Sequence, residues 1–184
     1  MGAVLHLMVM HFSRLPTRAS AVLAVALVAP ALAGAGTMKF STPCDVPGLR
    51  EAILQQVNAA RERGASCGGQ AYGAARTVAW NDQLVSAASG HSRDMADRNY
   101  FDHRSLSGTE PGQRVDAVGY KWRGVAENIA AGQFDAQSVV RGWLNSPGHC
   151  RNIMDPKFTE IGVACAARAG TVYGGYWTMV LARR

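Results

Sequence analysis

Ala126-Glu-Asn-Ile-Ala130, Trp143-Leu-Asn-Ser-Pro-Gly-His149 and Phe158-Thr-Glu-Ile-Gly-Val-Ala-Cys165 follow one another within residues 126–165. The stretch brings one carboxylate, Glu127, and one imidazole, His149, into loops rich in Gly, Pro and Ser, where function is commonly mounted. A second imidazole, His103, lies upstream in Tyr100-Phe-Asp-His-Arg104. Two imidazoles and a carboxylate on separate segments meet only through a fold. If they meet, they suit a divalent metal with water completing the shell, acid/base chemistry, or hydrogen bonds that only fix loops.

Outward from that stretch, residue periodicity sets the elements. Leu49, Ile53, Val57 and Ala60 form one apolar stripe of a helix ending near Gly64, with Arg50, Glu51, Gln55, Arg61 and Arg63 on its wet side. A Gly-rich loop around Cys67 leads to Thr77-Val-Ala-Trp80, a short strand. Asn81 caps a second helix, on which Leu84, Ala88, His91 and Met95 share a face. On that stripe His91 reads as a hydrogen-bonded core histidine. Residues 100–112 form a polar loop, and Gln113–Val118 a short helix. Asp135 caps a helix over 136–144 that turns Val139, Val140 and Trp143 inward and stops at Pro147-Gly148. From Phe158 the pattern alternates, with Ile161, Val163 and Cys165 on one side. A second run, Gly175–Leu181, follows the turn Arg168-Ala-Gly170, so the chain closes on an antiparallel hairpin. Helices first and strands late imply an α+β fold with helices packed on a small antiparallel sheet.

The beginning of the chain reads as a leader. Residues 1–33 carry Arg14 and Arg18 with no acid, then an apolar run ending in Ala31-Leu-Ala33, the pattern of a secretory signal peptide. The run falls short of the roughly 20 apolar residues of a spanning helix, so no stable transmembrane anchor is expected. Residues 34–47 serve as a linker and 48–184 as the domain. Without the leader the net charge falls from +6 to +4, scattered and without a Lys/Arg block, which argues against nucleic acid as partner. Four cysteines, Cys44, Cys67, Cys150 and Cys165, all follow the leader. That fits two disulfides in an oxidising compartment, hence a secreted or periplasmic protein. Of three possible pairings, Cys44–Cys67 and Cys150–Cys165 are expected, each closing a local unit. No CxxC suggests a cysteine zinc site. Cys150 is not read as a nucleophile, because neighbours in an extended segment face apart and would separate it from His149.

Several motifs in fixed order resemble the CAP superfamily, the SCP domain of cysteine-rich secretory proteins, insect venom antigen five and plant pathogenesis-related protein one, and more closely its bacterial secreted branch. They are His91-Ser-Arg-Asp-Met-Ala96, Tyr100-Phe-Asp-His103, Ala126–Ala130, Trp143–His149, Asn152-Ile-Met154, Ile161-Gly-Val163 and Tyr176-Trp-Thr178, and the resemblance covers about residues 49–182. The resemblance implies a three-layer α-β-α sandwich whose cleft holds a His/Glu/Glu/His tetrad able to bind zinc or another divalent ion. His103, Glu127 and His149 match three members, with His103 and His149 as the metal-binding imidazoles. Asn145-Ser146 stand where the second Glu belongs, and Glu160 does not match the motif. The implied role is a binding module for a lipid or sterol, an envelope component or a protein. Tyr120, Trp122, Trp143, Tyr176 and Trp177 are candidates to line a groove or fill the core. A metal-dependent hydrolase with Glu127 as base is the enzymatic alternative. A structural domain without ligand is the third. No Gly-x-Ser-x-Gly elbow accompanies these residues.

Overall fold

The structure, a computed structural model, describes residues 44–184. The leader and most of the linker lie outside the described residues. Eleven elements follow in order: α1 (Leu49–Arg63), β1 (Ala65–Cys67), β2 (Gln70–Tyr72), β3 (Ala79–Trp80), α2 (Asp82–Arg98), α3 (Pro111–Ala117), β4 (Gly124–Ala131), α4 (Ala136–Asn145), α5 (Pro147–Met154), β5 (Glu160–Ala167) and β6 (Gly175–Arg183). Strands β3, β5, β6 and β4 form one sheet in that order, while β1 and β2 make a separate hairpin. The pairs β5–β6 and β6–β4 are antiparallel, and the two-residue β3 adds a parallel edge beside β5.

The sheet is the middle of three layers. Ile161, Val163, Trp177, Met179 and Leu181 point to one face and pack with Ile53, Val57, Val139, Val140, Trp143, Ile153 and Met154 from α1, α4 and α5. Ala164, Val180 and Ala182 point to the other and pack with Leu84, Ala87, Ala88, Val115 and Tyr120 on or beside α2 and α3. Strand β6 lies between β5 and β4 and is buried over eight of its nine residues. The predicted stripes hold: Ile53, Val57 and Ala60 of α1 and Leu84, Ala88, His91 and Met95 of α2 are all buried. Both predicted caps form. Asn81 Oδ1 accepts from the Gln83 and Leu84 N–H groups, and Asp135 Oδ1 from Ser138 N–H.

Two local expectations fail for physical reasons. Arg61 is not on the wet side of α1 but fully buried. Its guanidinium donates to the carbonyls of Arg76, Ile153, Asp155 and Phe158, joining α1 to the segments before β3 and β5. A buried cation is tolerable when its donors are matched in this way. The segment around His149 is helical rather than extended. Ser146 ends α4, and Pro147 opens α5 at its first turn, where a missing N–H costs nothing.

The disulfides pair across the molecule, Cys44–Cys165 and Cys67–Cys150, with Cα–Cα separations of 5.3 and 5.4 Å. The expected Cys44–Cys67 and Cys150–Cys165 bridges do not form. Helix α1 stands between Cys44 and Cys67, and its 15 residues carry the chain about 22 Å. A disulfide needs its Cα atoms within about 7 Å. Cys150 lies within α5 and Cys165 on β5, and each meets its partner from the other half of the chain instead.

Candidate functional site

The site gathers around the free edge of β4. Among the described residues only β6 pairs with β4, and side chains cover its other edge: Asn152 Nδ2 donates to Glu127 O and Trp143 Nε1 to Ile129 O. Asn128, fully buried, donates to His149 O and accepts from Asn152 Nδ2 at 2.8 Å. These bonds lock α4 and α5 against the strand and set where His149 stands. The Ala-Glu-Asn-Ile-Ala motif is therefore a strand whose central residues, Glu127 to Ile129, all have fixed partners.

Glu127 is the centre. Its side chain is 2 % exposed. His103 Nδ1 lies 2.9 Å from Oε1, and Arg114 Nη2 donates to Oε2 at 2.7 Å. His91 Nε2 approaches Oε1 to 3.8 Å while bonding Asp102 O at 2.9 Å. Arg114 is wrapped by the loop before α3: Nη2 also reaches His103 O, and Nη1 reaches Thr109 O and the Ser105 hydroxyl. Two of the three expected residues, His103 and Glu127, are thus in direct contact. The third, His149, stands close enough that the charge of His103 acts on it. Burial first, and then that charge, hold His149 below the ordinary imidazole range. Burial likewise depresses His91, with Glu127 opposing.

Arg114 is not among the expected residues. A buried carboxylate requires a counter-charge, but the sequence does not single out Arg114 for it, because Arg104, Lys121 and Arg123 flank Glu127 as well. His91 is the hydrogen-bonded core histidine expected, and it also borders Glu127. Glu160 is engaged elsewhere. It accepts from Asn81 Nδ2 and the Tyr120 hydroxyl and pairs with Arg184.

A zinc ion would draw on His103, Glu127 and His149. Glu127 meets His103 Nδ1 at one oxygen and the Arg114 guanidinium at the other, so the cation nearest the carboxylate is already an arginine. Among the described residues no three His, Cys, Asp or Glu side chains are grouped to hold a metal ion. As arranged, this donor set does not fit a divalent ion, which needs free lone pairs converging at about 2.0–2.2 Å.

Beside His149 opens a hollow of about 310 Å³, lined by Phe101, Ile129, Gln133, Trp143, Ser146 and Tyr173 among others. Phe101 and Tyr173 pack with tilted rings, centroids 5.7 Å apart, yet each stays more than two-fifths exposed. The lining aromatics are therefore mostly new. Of the five expected, Tyr120, Trp143, Tyr176 and Trp177 are core and Trp122 is partly exposed; among them Trp143 borders the hollow. A wider groove of about 620 Å³ runs between α1 and α4, bordered by Gln55, Arg63, Val140, Arg141 and Leu144.

A disulfide-stapled α-β-α sandwich with a His/Glu cleft at the sheet edge defines an SCP domain. The chain belongs to the CAP family, the cysteine-rich secretory protein family, whose profile matches residues 54–181. It is 32 % identical over 150 residues to the Bacillus subtilis (strain 168) protein YkwD, covering 82 % of this chain and 53 % of that protein. The chain thus spans about half the length of this curated relative. A crystal structure of an extracellular protein containing an SCP domain from Bacillus anthracis str. Ames superposes with a TM-score of 0.58 at 31 % identity, covering 73 % of this chain and 41 % of that one. An outer surface protein from Borrelia burgdorferi shares the fold, with a TM-score of 0.62 at 18 % identity over 74 % and 92 % of the two chains.

Proposed function

We propose that this chain is an exported binding module. The hollow beside His149 takes an apolar ligand of the lipid class, whose polar head faces His149 and His103. One observation carries the reading. An apolar hollow rimmed by two exposed aromatics opens directly beside the cluster of polar site residues. Ligand sites typically combine such a lining with a few placed polar groups. Exposed Phe101 and Tyr173 lose water-facing area on binding, which stabilises a complex by about 25 cal/mol per Å² of apolar surface removed. The Glu127 carboxylate, contacted at one oxygen by His103 and at the other by Arg114, supports the reading of a fixed anchor for the cleft. Two disulfides and the expected leader support work in an oxidising compartment.

The test is a titration of the tag-free protein with a fluorescent long-chain fatty acid, followed by a sterol pull-down. Saturable binding that weakens about tenfold in Phe101→Ala/Tyr173→Ala supports the reading, that loss being about 1.4 kcal/mol. Ester or peptide hydrolysis that chelators abolish would turn it to the hydrolase. Absence of binding, with His103→Ala lowering only the melting temperature, would turn it to a structural domain.

A further inference from the structure

We infer that Arg114 is the resident cation of this site. It occupies the electrostatic place of a divalent ion, and the cleft works with that fixed charge instead of a metal. The geometry assigns the role. The Arg114 side chain is 10 % exposed, and its fork is met by acceptors from separate segments: Glu127 Oε2 from β4, and the His103 and Thr109 carbonyls and the Ser105 hydroxyl from the loop before α3. These are oxygen ligands converging on one buried positive charge. A guanidinium suits them because it is planar, always charged and rich in donors.

The same geometry excludes a second cation. A metal on Glu127 would have to share the carboxylate with the guanidinium that Oε2 accepts from at 2.7 Å. Displacing the guanidinium would strand it, still charged and still buried, away from its acceptors. Leaving it in place would set two cations against one carboxylate in a weakly screened pocket. His103 meanwhile directs Nδ1 at Glu127 and keeps Nε2 for whatever enters the cleft. The ligand therefore meets imidazoles and a buried ion pair rather than a Lewis acid. This inference does not depend on which ligand the neighbouring hollow accepts.

Tag-free protein stripped with chelator is titrated with zinc alone by calorimetry. Wild type is expected to show no saturable binding up to about 0.1 mM at the site, since three free ligands are what a zinc site requires. Arg114→Gln, which frees Glu127 Oε2, is expected to gain one zinc at least about tenfold tighter, and His149→Asn added to it removes the gain. Arg114→Lys keeps the charge and is expected to behave as wild type. Stoichiometric zinc on wild type at low micromolar concentration, lost in Glu127→Gln, overturns the inference whether or not the Arg114 variants fold. A folded Arg114→Gln that gains no affinity for zinc overturns it as well.

Discussion

Two histidines in the fold are held below their ordinary pKa of 6.5 by burial, His91 in α2 and His149 in α5. For His91 the nearby Glu127 opposes the shift, and for His149 the charge of His103 adds to it. In both, folding disfavours the protonated ring. Below pH 6.5 the unfolded chain therefore binds more protons than the folded one, and stability falls as pH falls. Asp135, held low chiefly by the Ser138 N–H, enters only below its ordinary 3.8, so the histidines dominate the window above it. The melting temperature is expected to be flat above about pH 7 and to drop between about pH 6.5 and 5. His91→Gln and His149→Asn should each flatten that slope. A wild-type profile level down to about pH 5 would contradict the assignment. At this scale His103 and Glu127 are legible because imidazole and carboxylate in loops carry their own chemistry. Arg114 and Arg61 are not, because an arginine in a helical pattern reads as solvated until its acceptors, on other segments, are placed around it.

Among the elements, α2 and the sheet make the closest approach. Ser92 Oγ donates to Thr178 Oγ1 at 2.8 Å across that interface. A Cβ on Gly162 would sit 2.2 Å from Val85 N and 2.3 Å from Leu84 C, so the helix backbone lies directly on β5 there. Gly162→Ala is expected to cost at least about 3 kcal/mol, or roughly 10 °C of melting temperature, since backbone rather than a flexible side chain must yield. Gly90, on the same helix, has nothing within 4 Å of an added Cβ. Gly90→Ala should stabilise by about 0.5–1 kcal/mol, and thermal melts of the pair check both signs. Elements with one buried face are legible: the stripes of α1, α2 and α4 and the alternation of β5 mark which side meets the core. Strand β4 escapes as a strand because Glu127 and Asn128, pointing to opposite faces, are both buried. With polar groups satisfied on both sides, no period of two survives. Helix α5 escapes because Pro147-Gly148 stops one helix and starts the next within the same residues.

Over the whole molecule, the two disulfides tie residues 121 and 83 positions apart in sequence. In the chain-entropy account each such loop stabilises by about 4–5 kcal/mol. Non-reducing peptide mapping should yield Cys44 joined to Cys165 and Cys67 joined to Cys150. Recovery of a Cys44–Cys67 peptide from folded protein would contradict the fold around α1. The pairing is not legible in the sequence because nearness along the chain is not nearness in space where an intervening helix acts as a rigid spacer. The three-layer arrangement is legible from the motif order, and the helix-then-strand order by itself implies only helices on a sheet. The sheet order has a temporal consequence. Strand β6, the last of the described strands, is the one that both β5 and β4 pair with. Until it arrives, β4 and β5 have no common neighbour and the layers on either side have no shared floor. A chain emerging amino end first from a ribosome therefore cannot complete this sheet until β6 is free, because both of its neighbours wait on it.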